Sequence, residues 1–189
     1  MASCLTPQPQ KTANICDIFD ENISWYYAAK SAHDKWGTPI NLALAIMYQE
    51  SSLKYDAAPH MKYWWGIPIG RASNAYGYAQ AKLMTWADYK RETGNSWASR
   101  DNFADAVDFI GWFTTKTHKI NKVSKSDTYR QYLNYHEGWG GYKRKSYKKK
   151  PWLVKVSHRV DKRSKKYAKQ LKQCTKKLES NWFWTFIYE

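Results

Sequence analysis

Glu50 is the carboxylate in this sequence whose position best suits acid–base catalysis. It follows Ala43 by seven residues, Ile46 by four and Met47 by three, so these side chains share one face of a helix predicted over residues 40–51. A carboxylate on an apolar face loses hydration, which raises its pKa unless a cation compensates it. A glutamic acid that keeps its proton near neutral pH can protonate the leaving oxygen of a glycoside. The alternative is a buried Glu50 paired with lysine or arginine, with a purely structural role.

Two further motifs follow this glutamate along the chain. The sequence reads ES at residues 50–51, GYAQ at 77–80 and NYHEG at 134–138. In this order and at these separations, the motifs resemble those of the soluble lytic transglycosylases, a lysozyme-like family. The resemblance covers residues 20–142. The second motif has YA where LM is commoner, and the third has NYH in place of AYN.

The resemblance implies a peptidoglycan lytic transglycosylase that needs no cofactor. Members of the family cleave the β-1,4 bond between N-acetylmuramic acid and N-acetylglucosamine without water and leave a 1,6-anhydro-muropeptide. By this resemblance Glu50 is the single catalytic acid and base, and Ser51 orients the substrate or Glu50. Gln80 hydrogen-bonds near the catalytic site. Tyr135 holds Glu50 or the cleaved sugar by its hydroxyl, or else it is a tyrosine of the core.

Aromatic residues in a long predicted loop over residues 52–81 suit the walls of a sugar-binding groove. Sugar rings have apolar C–H faces that stack on indole and phenol rings. The candidates for such contacts are Tyr63, Trp64, Trp65 and Tyr78. About half of these aromatics are expected to lie in the core instead, because large rings dominate burial in any domain.

Two other functions fit parts of the sequence. A lysozyme-type hydrolase would cut the same bond with water and would need a second carboxylate, for which Asp56, Asp105 and Glu137 are candidates. A non-catalytic basic protein would bind cell wall or nucleic acid through its lysines. The chain has no recognised nucleic-acid motif, so no specific nucleic acid is expected as a partner.

The fold is predicted to be mainly α: a lysozyme-like helical domain with a long active-site loop and a basic helical C-terminal extension. Apolar residues recur at helical spacing, and glycines and prolines interrupt the pattern. The helices are predicted over residues 17–36, 40–51, 81–92, 100–118 and 126–135, before a turn at 137–141. The aromatic residues 182–188 are expected to pack on the body as a strand.

Positive charge is concentrated at the C-terminus. The 189 residues carry a net charge of +15, of which +13 lies in residues 143–189 and +2 in residues 1–142. This distribution predicts an N-terminal spacer over 1–15, a domain over 16–142 and a basic extension over 143–189 packed on that domain. The extension is expected to contact anionic wall groups or anionic lipid, and the protein is expected to be a monomer.

The three cysteines indicate an exported protein. Residues 1–4 resemble the end of a bacterial lipobox, so Cys4 is either a lipidation candidate in the periplasm or at the outer membrane, or a free cysteine in an N-terminal tail. Cys16 and Cys174 remain as a pair, either bridged in an oxidising compartment or present as two buried thiols. None of the three has the spacing of a zinc site, so no metal is expected.

Overall fold

The computed structural model describes residues 7–65 and 67–185, and it describes their side chains except those of residues 62, 63, 67, 68 and 181–185. The lipidation candidate Cys4 and the side chain of Tyr63 therefore lie outside the described part. The same holds for the aromatic side chains of residues 182–188.

The described residues form seven α-helices, one short 3-10 helix and one β-hairpin, so the predicted mainly α fold is confirmed. The hairpin is antiparallel and lies inside the predicted loop. The elements, in chain order, are α1 (Ile15–Glu21), α2 (Ile23–Trp36), α3 (Ile40–Ser51), β1 (Met61–Trp64), β2 (Ile67–Arg71), α4 (Leu83–Thr93), α5 (Phe103–Asn121), α6 (Thr128–Lys143), the 3-10 helix (Ser146–Lys149) and α7 (Pro151–Thr185).

Some predicted boundaries differ from the structure. The helix predicted over 17–36 is two helices, because Asn22 adopts non-helical angles and its backbone N–H closes α1 on the Ile18 carbonyl. The turn predicted at 137–141 is a kink inside α6, where Gly138 has φ 71° and ψ 162°. The strand predicted in residues 182–188 is wrong for 182–185, which continue α7 as helix.

The core is built around α3, whose residues 42–47 are all buried. A helix that is apolar on every side needs neighbours on every side, and here α2, α5 and α7 supply them. The α2–α5 contact is close because Gly111 has no side chain: a Cβ there would lie 2.4 Å from Cδ1 of Trp36. This packing fixes the position of the C-terminal end of α3, where Glu50 lies.

Helix α7 carries ten of the 31 lysines and arginines and packs against α1, α3 and α6. Its apolar stripe is buried on this body, and its hydroxyls and amides reach the neighbouring helices. The Ser164 hydroxyl accepts from Asn41 Nδ2 at 2.8 Å, and the Cys16–Cys174 disulfide joins α1 to α7 with the Cα atoms 6.0 Å apart. The predicted bridge is thus present. The stripe consists of Leu153, Val160, Tyr167, Cys174 and Leu178.

The described part of the predicted 1–15 spacer is held against the body and is not a free tether. The Gln8 side chain donates to the Ser52 carbonyl at 2.8 Å, and the Thr12 carbonyl accepts from the Tyr167 hydroxyl at 2.6 Å. Ile15 is fully buried in the core. The prolines and polar residues of this segment predicted a flexible spacer. In the structure its described residues are bound to the domain.

Candidate active site

A cavity of about 400 Å³ opens at the C-terminal end of α3. Its walls come from α3, from the segment between the hairpin and α4, and from α4, α5 and α6. Residues far apart in the sequence therefore meet around one carboxylate. They include Glu50, Gln80, Tyr135, His136 and Glu137.

Glu50 lies in this cavity. The residue as a whole is partly exposed, but its carboxyl group is shielded from water. Burial raises the pKa of Glu50 from 4.5 to about 7, although a hydrogen bond with Tyr132 acts to lower it. No lysine or arginine of the described residues forms an ion pair with Glu50. Near neutral pH the Glu50 carboxyl therefore exists in both protonation states.

Tyr132 is the direct partner of Glu50, and the sequence motifs did not include it. It is buried on α6, and burial together with the adjacent Glu50 raises its pKa, so its hydroxyl stays protonated and serves as a donor. The signal that could have found it is spacing: Tyr132 lies three residues before Tyr135, which places both side chains on one face of a helix.

Tyr135 lies beside Glu50 and holds the cavity wall. Tyr135 lines the same cavity as Glu50, and burial and then the charge of Glu50 raise the pKa of Tyr135. Its hydroxyl donates to the Ala79 carbonyl at 2.5 Å, and its ring meets Phe113 edge-on with the ring centroids 4.9 Å apart. Tyr135 thus connects α6 to the GYAQ segment and lines the cavity.

The GYAQ segment has a backbone that requires its first residue to be glycine. Gly77 has φ +75°, and a Cβ there would lie 1.9 Å from the Arg100 carbonyl oxygen. The Gln80 side-chain amide donates to the carbonyls of Ala57 at 2.7 Å and of Gly77 at 3.0 Å. Gln80 therefore lines the cavity and at the same time fixes the loop that forms its wall.

Ser51 is a positioning residue and does not reach the cavity. Its side chain is 7% exposed, and its hydroxyl donates to the Tyr78 carbonyl at 2.8 Å and accepts from the Leu53 N–H at 3.1 Å. The hydroxyl is occupied by backbone groups and links the end of α3, which carries Glu50, to the GYAQ segment.

Glu137 is the one rival carboxylate that lines the same cavity as Glu50 in the described part of the chain. Burial acts to raise its pKa, but hydrogen bonds from Lys150, Ser146 and His136 outweigh burial and lower the pKa to about 2. Its side chain is 3% exposed, and Lys150 Nζ lies 2.7 Å from Oε1. Its oxygens thus join α6 to the 3-10 helix and the start of α7, and the low pKa makes Glu137 a weak base toward water.

The other two rival carboxylates do not line the cavity. The Asp105 carboxylate accepts the Ser99 backbone N–H at 2.9 Å and the Asn95 side-chain amide at 3.2 Å, so it closes the loop before α5. Asp56 is exposed in the loop after α3. A second catalytic carboxylate of the ordinary hydrolase arrangement is therefore not formed by these groups.

A comparison with protein families matches nearly the whole chain. The family model described as the transglycosylase SLT domain covers residues 1–174. The chain belongs to this family. Function is therefore shown at the level of the family: a lytic-transglycosylase type of action on peptidoglycan in the bacterial cell wall. No curated protein and no solved structure matches the chain.

In this SLT domain, Tyr78 is a core residue, contrary to the expectation that it contacts sugar. It is 1% exposed and meets Trp25 and Phe103 edge-on, with ring centroids 5.4 and 5.6 Å away. The ring fills the space between α2 and α5 and does not face the cavity. This burial explains how tyrosine fits at a motif position where leucine is commoner.

Trp64 and Trp65, unlike Tyr78, are exposed to solvent. They lie at the end of β1 and in the hairpin turn, where they are 64% and 89% exposed. Neither lines the Glu50 cavity. These rings are available to an external ligand, and Ile69 on β2 adds an exposed apolar side chain to the same hairpin.

The raised pKa of Glu50 has a measurable effect on stability. Because the folded chain holds this proton up to about pH 7 while the unfolded chain releases it near 4.5, Glu50 lowers stability as the pH rises between these values. Glu50→Gln is expected to match the native protein near pH 4 and to be more stable above pH 7, by up to about 3 kcal/mol. Urea unfolding at pH 4, 6 and 8 measures this difference.

The control for this measurement is Asp56→Asn, which removes an exposed carboxylate from the loop that follows α3. The same measurement on Asp56→Asn gives the effect of losing one negative charge near the end of α3, and this effect is subtracted from that of Glu50→Gln. A constant difference between Glu50→Gln and the native protein from pH 4 to pH 8 would show that the Glu50 carboxyl is hydrated.

Proposed function

We propose that this SLT domain is a lytic transglycosylase that cleaves the N-acetylmuramic acid–β-1,4–N-acetylglucosamine bond and releases 1,6-anhydro-muropeptides. The observation that carries the proposal is the Glu50 carboxyl, desolvated in a cavity, hydrogen-bonded with Tyr132 and given a pKa of about 7. A group with that pKa can donate and accept a proton at neutral pH with little cost in either direction.

The reaction proceeds in two proton transfers through Glu50. The protonated carboxyl gives its proton to the glycosidic oxygen while the bond from that oxygen to the anomeric carbon breaks. The resulting carboxylate then removes the proton from the carbon-6 hydroxyl of the muramic residue, whose oxygen bonds to the anomeric carbon. Glu50 ends protonated, no water is consumed, and one carboxylate suffices because the internal hydroxyl replaces the water of an inverting hydrolase.

The surrounding residues position Glu50 and the cavity wall. Tyr132 orients the carboxyl by its hydrogen bond. Ser51 and Tyr135 bind the backbone carbonyls of the GYAQ segment, so both sides of the cavity are tied to the helices that carry the motifs. Such fixed geometry lowers the entropy cost of reaching the reactive arrangement.

The chain is proposed to act outside the cytoplasm, in the periplasm, with Cys4 as a candidate lipid anchor. The Cys16–Cys174 disulfide supports this, since disulfides persist in oxidising compartments. The proposal keeps the division predicted from charge, with a catalytic domain over 16–142 and a basic extension over 143–189. No helix among the described residues has the length and apolarity needed to cross a bilayer.

Product analysis in labelled water tests the reaction. Purified sacculi are incubated with the protein in ¹⁸O-water, and the soluble muropeptides are weighed by mass spectrometry. The expected products are one water lighter than the hydrolytic ones and carry no ¹⁸O at the anomeric carbon. Products that carry the label would establish a lysozyme-type hydrolase, and an absence of released products would contradict both enzymatic functions.

The exposed tryptophans of the hairpin are proposed to bind the glycan strand beyond the cavity. The double variant Trp64→Ala/Trp65→Ala is expected to raise the KM for sacculi about two- to ten-fold, because each ring loses a stacking contact. The melting temperature should change little, since these rings are 64% and 89% exposed. Activity assays at several sacculus concentrations, with thermal unfolding alongside, measure both effects.

Trp97 provides the matched control for these tryptophans. It is 94% exposed in the loop between α4 and α5, and it does not line the Glu50 cavity. Trp97→Ala should leave the KM unchanged. Equal effects of the hairpin and control variants would mean that exposed indoles act by non-specific adhesion to the wall.

A further inference from the structure

A second and larger cavity, of about 880 Å³, lies between α3, α7 and residues 12–13. We name it the basic groove, because cationic side chains from α7 line one side along several helical turns. On the opposite side it is lined by Tyr48 and Gln49 of α3. The cationic side chains are Arg159, Lys162, Arg163, Lys165, Lys166 and Lys169.

Most of this charge has no carboxylate partner. Lys165 pairs with Asp161 at 2.6 Å, and the Arg163 guanidinium lies over the Tyr48 ring, 3.5 Å from its centroid. The other four, Arg159, Lys162, Lys166 and Lys169, form no ion pair with any described residue. A groove lined by uncompensated charge of one sign concentrates its electric field and attracts an anionic ligand.

The basic groove adjoins the catalytic cavity. Tyr48 and Gln49 line the groove, and the next residue of α3 is Glu50. The charge of Arg159, at the groove, acts on Tyr132, whose hydroxyl hydrogen-bonds with Glu50. The two cavities therefore lie on neighbouring faces of α3, because consecutive residues of a helix point about 100° apart.

The spacing of the unpaired cations suits an extended chain with several negative charges. Arg159, Lys162, Lys166 and Lys169 recur every three or four residues, so they follow one face of α7. This row spans about 15 Å at the α-helical rise, which equals the length of four to five residues of extended peptide. Peptidoglycan has its anionic groups on muramyl residues and on the peptide stems attached to them.

We propose that the basic groove binds the carboxylates of a peptide stem on the strand that Glu50 cleaves. The proposal rests on the proposed function and extends the substrate from the glycan to its peptide. Lysine and arginine would hold the stem carboxylates by charge-assisted hydrogen bonds. The attached muramic residue would then be held at the catalytic cavity, so the groove would select strands that still carry stems.

The packing of α7 disfavours an anionic lipid surface as the occupant. An amphipathic helix binds a membrane by inserting its apolar face, but the apolar stripe of α7 is buried on the protein body, with Val160, Tyr167 and Leu178 at most 1% exposed. The cations also line a concave groove that has a second wall from α3. Both features suit a narrow chain better than a flat bilayer surface.

Charge reversal in the groove tests the proposal. The variant Lys162→Glu/Lys166→Glu is compared with Lys172→Glu/Lys176→Glu, which makes the same charge change on exposed lysines of α7 that do not line the groove. The kcat/KM of each double variant and of the native protein is measured on two substrates: glycan strands that carry peptide stems, and strands whose stems have been removed by an amidase. The groove variant should lower the kcat/KM ratio of stem-bearing to stripped strands about ten-fold, and the control should keep the ratio of the native protein.

Binding measured without turnover separates this proposal from the proposed function. In a Glu50→Gln background, the groove variant should bind stem-bearing strands about ten-fold more weakly, whether or not the native protein cleaves them. Equal weakening by groove and control variants, or equal weakening on both kinds of strand, would overturn the proposal. So would loss of binding to phosphatidylglycerol vesicles by the groove variant with strand binding unchanged, which would assign the groove to lipid.

Discussion

Glu50→Gln is expected to lower muropeptide release from sacculi by about 10²–10⁴-fold or more, since it removes the group that transfers both protons. Glutamine has nearly the same shape, and its amide oxygen can still accept the hydrogen bond from Tyr132. The fold is therefore expected to remain intact, and the loss should appear in kcat with little change in sacculus binding. Release of soluble muropeptides and co-sedimentation with sacculi measure the two quantities separately.

Glu50→Asp is the matched control for this loss. It keeps a titratable carboxyl group but withdraws it by one methylene from the cavity and from Tyr132. A partial loss of kcat is expected, with the same anhydro product as the native protein. If Glu50→Gln releases muropeptides at the native rate, Glu50 has no part in the chemistry, and its raised pKa is only a cost of burial.

The position of Glu50 was predictable because a single helix determines it. Residues 42–47 of α3 are all buried, including Ala43, Ile46 and Met47, and a carboxylate near the end of such a helix is drawn into the interior. What periodicity could not supply was the partner of that carboxylate. Tyr132 reaches Glu50 from α6, and this contact depends on α5 and α7, which pack against both α3 and α6.

The motif residues were found from the sequence, but their physical roles were not. Ser51 and Tyr78 both occur in motifs, and both are buried. The Ser51 hydroxyl bonds the Tyr78 backbone, and the Tyr78 ring fills a space formed by Trp25 and Phe103. A motif specifies residue types and their spacing. It does not tell whether a residue is needed for contact with the substrate or for packing of the fold.

The β-hairpin was not predicted because its sequence lacks the local signals of one. Residues 61–71 show no regular alternation of polar and apolar side chains, and the turn contains Trp65 at φ +49° in place of the usual asparagine or glycine. A register shift between Lys62 and Tyr63 also breaks the two-residue period. The prolines and glycines of this region therefore predicted an irregular loop. In the structure, part of that loop forms the antiparallel pair of β1 and β2.

Loss of the Cys16–Cys174 disulfide is expected to be the most destabilising change outside the core. The bridge joins residues 158 apart, and the loop-entropy model gives a limit of about 5 kcal/mol for such a loop. Cys16→Ser/Cys174→Ser is expected to lose about 2–5 kcal/mol of unfolding free energy and on the order of 10 °C in melting temperature. Urea and thermal unfolding measure these losses, and a reducing agent should reproduce them in the native protein but not in the variant.

The loss should be uneven along the chain, which distinguishes a local clamp from a global effect. Cys174 lies in the last third of α7, whereas the first turns of α7 remain joined to α6 and are anchored by Leu153 and Val160, each at most 1% exposed. Reduction should therefore raise hydrogen exchange in residues 167–180 and in α1 before it does so in α3. Equal loss of protection in α3 would mean that α7 and the body unfold as one unit, and unchanged exchange in residues 167–180 would mean that packing alone holds this end of the helix.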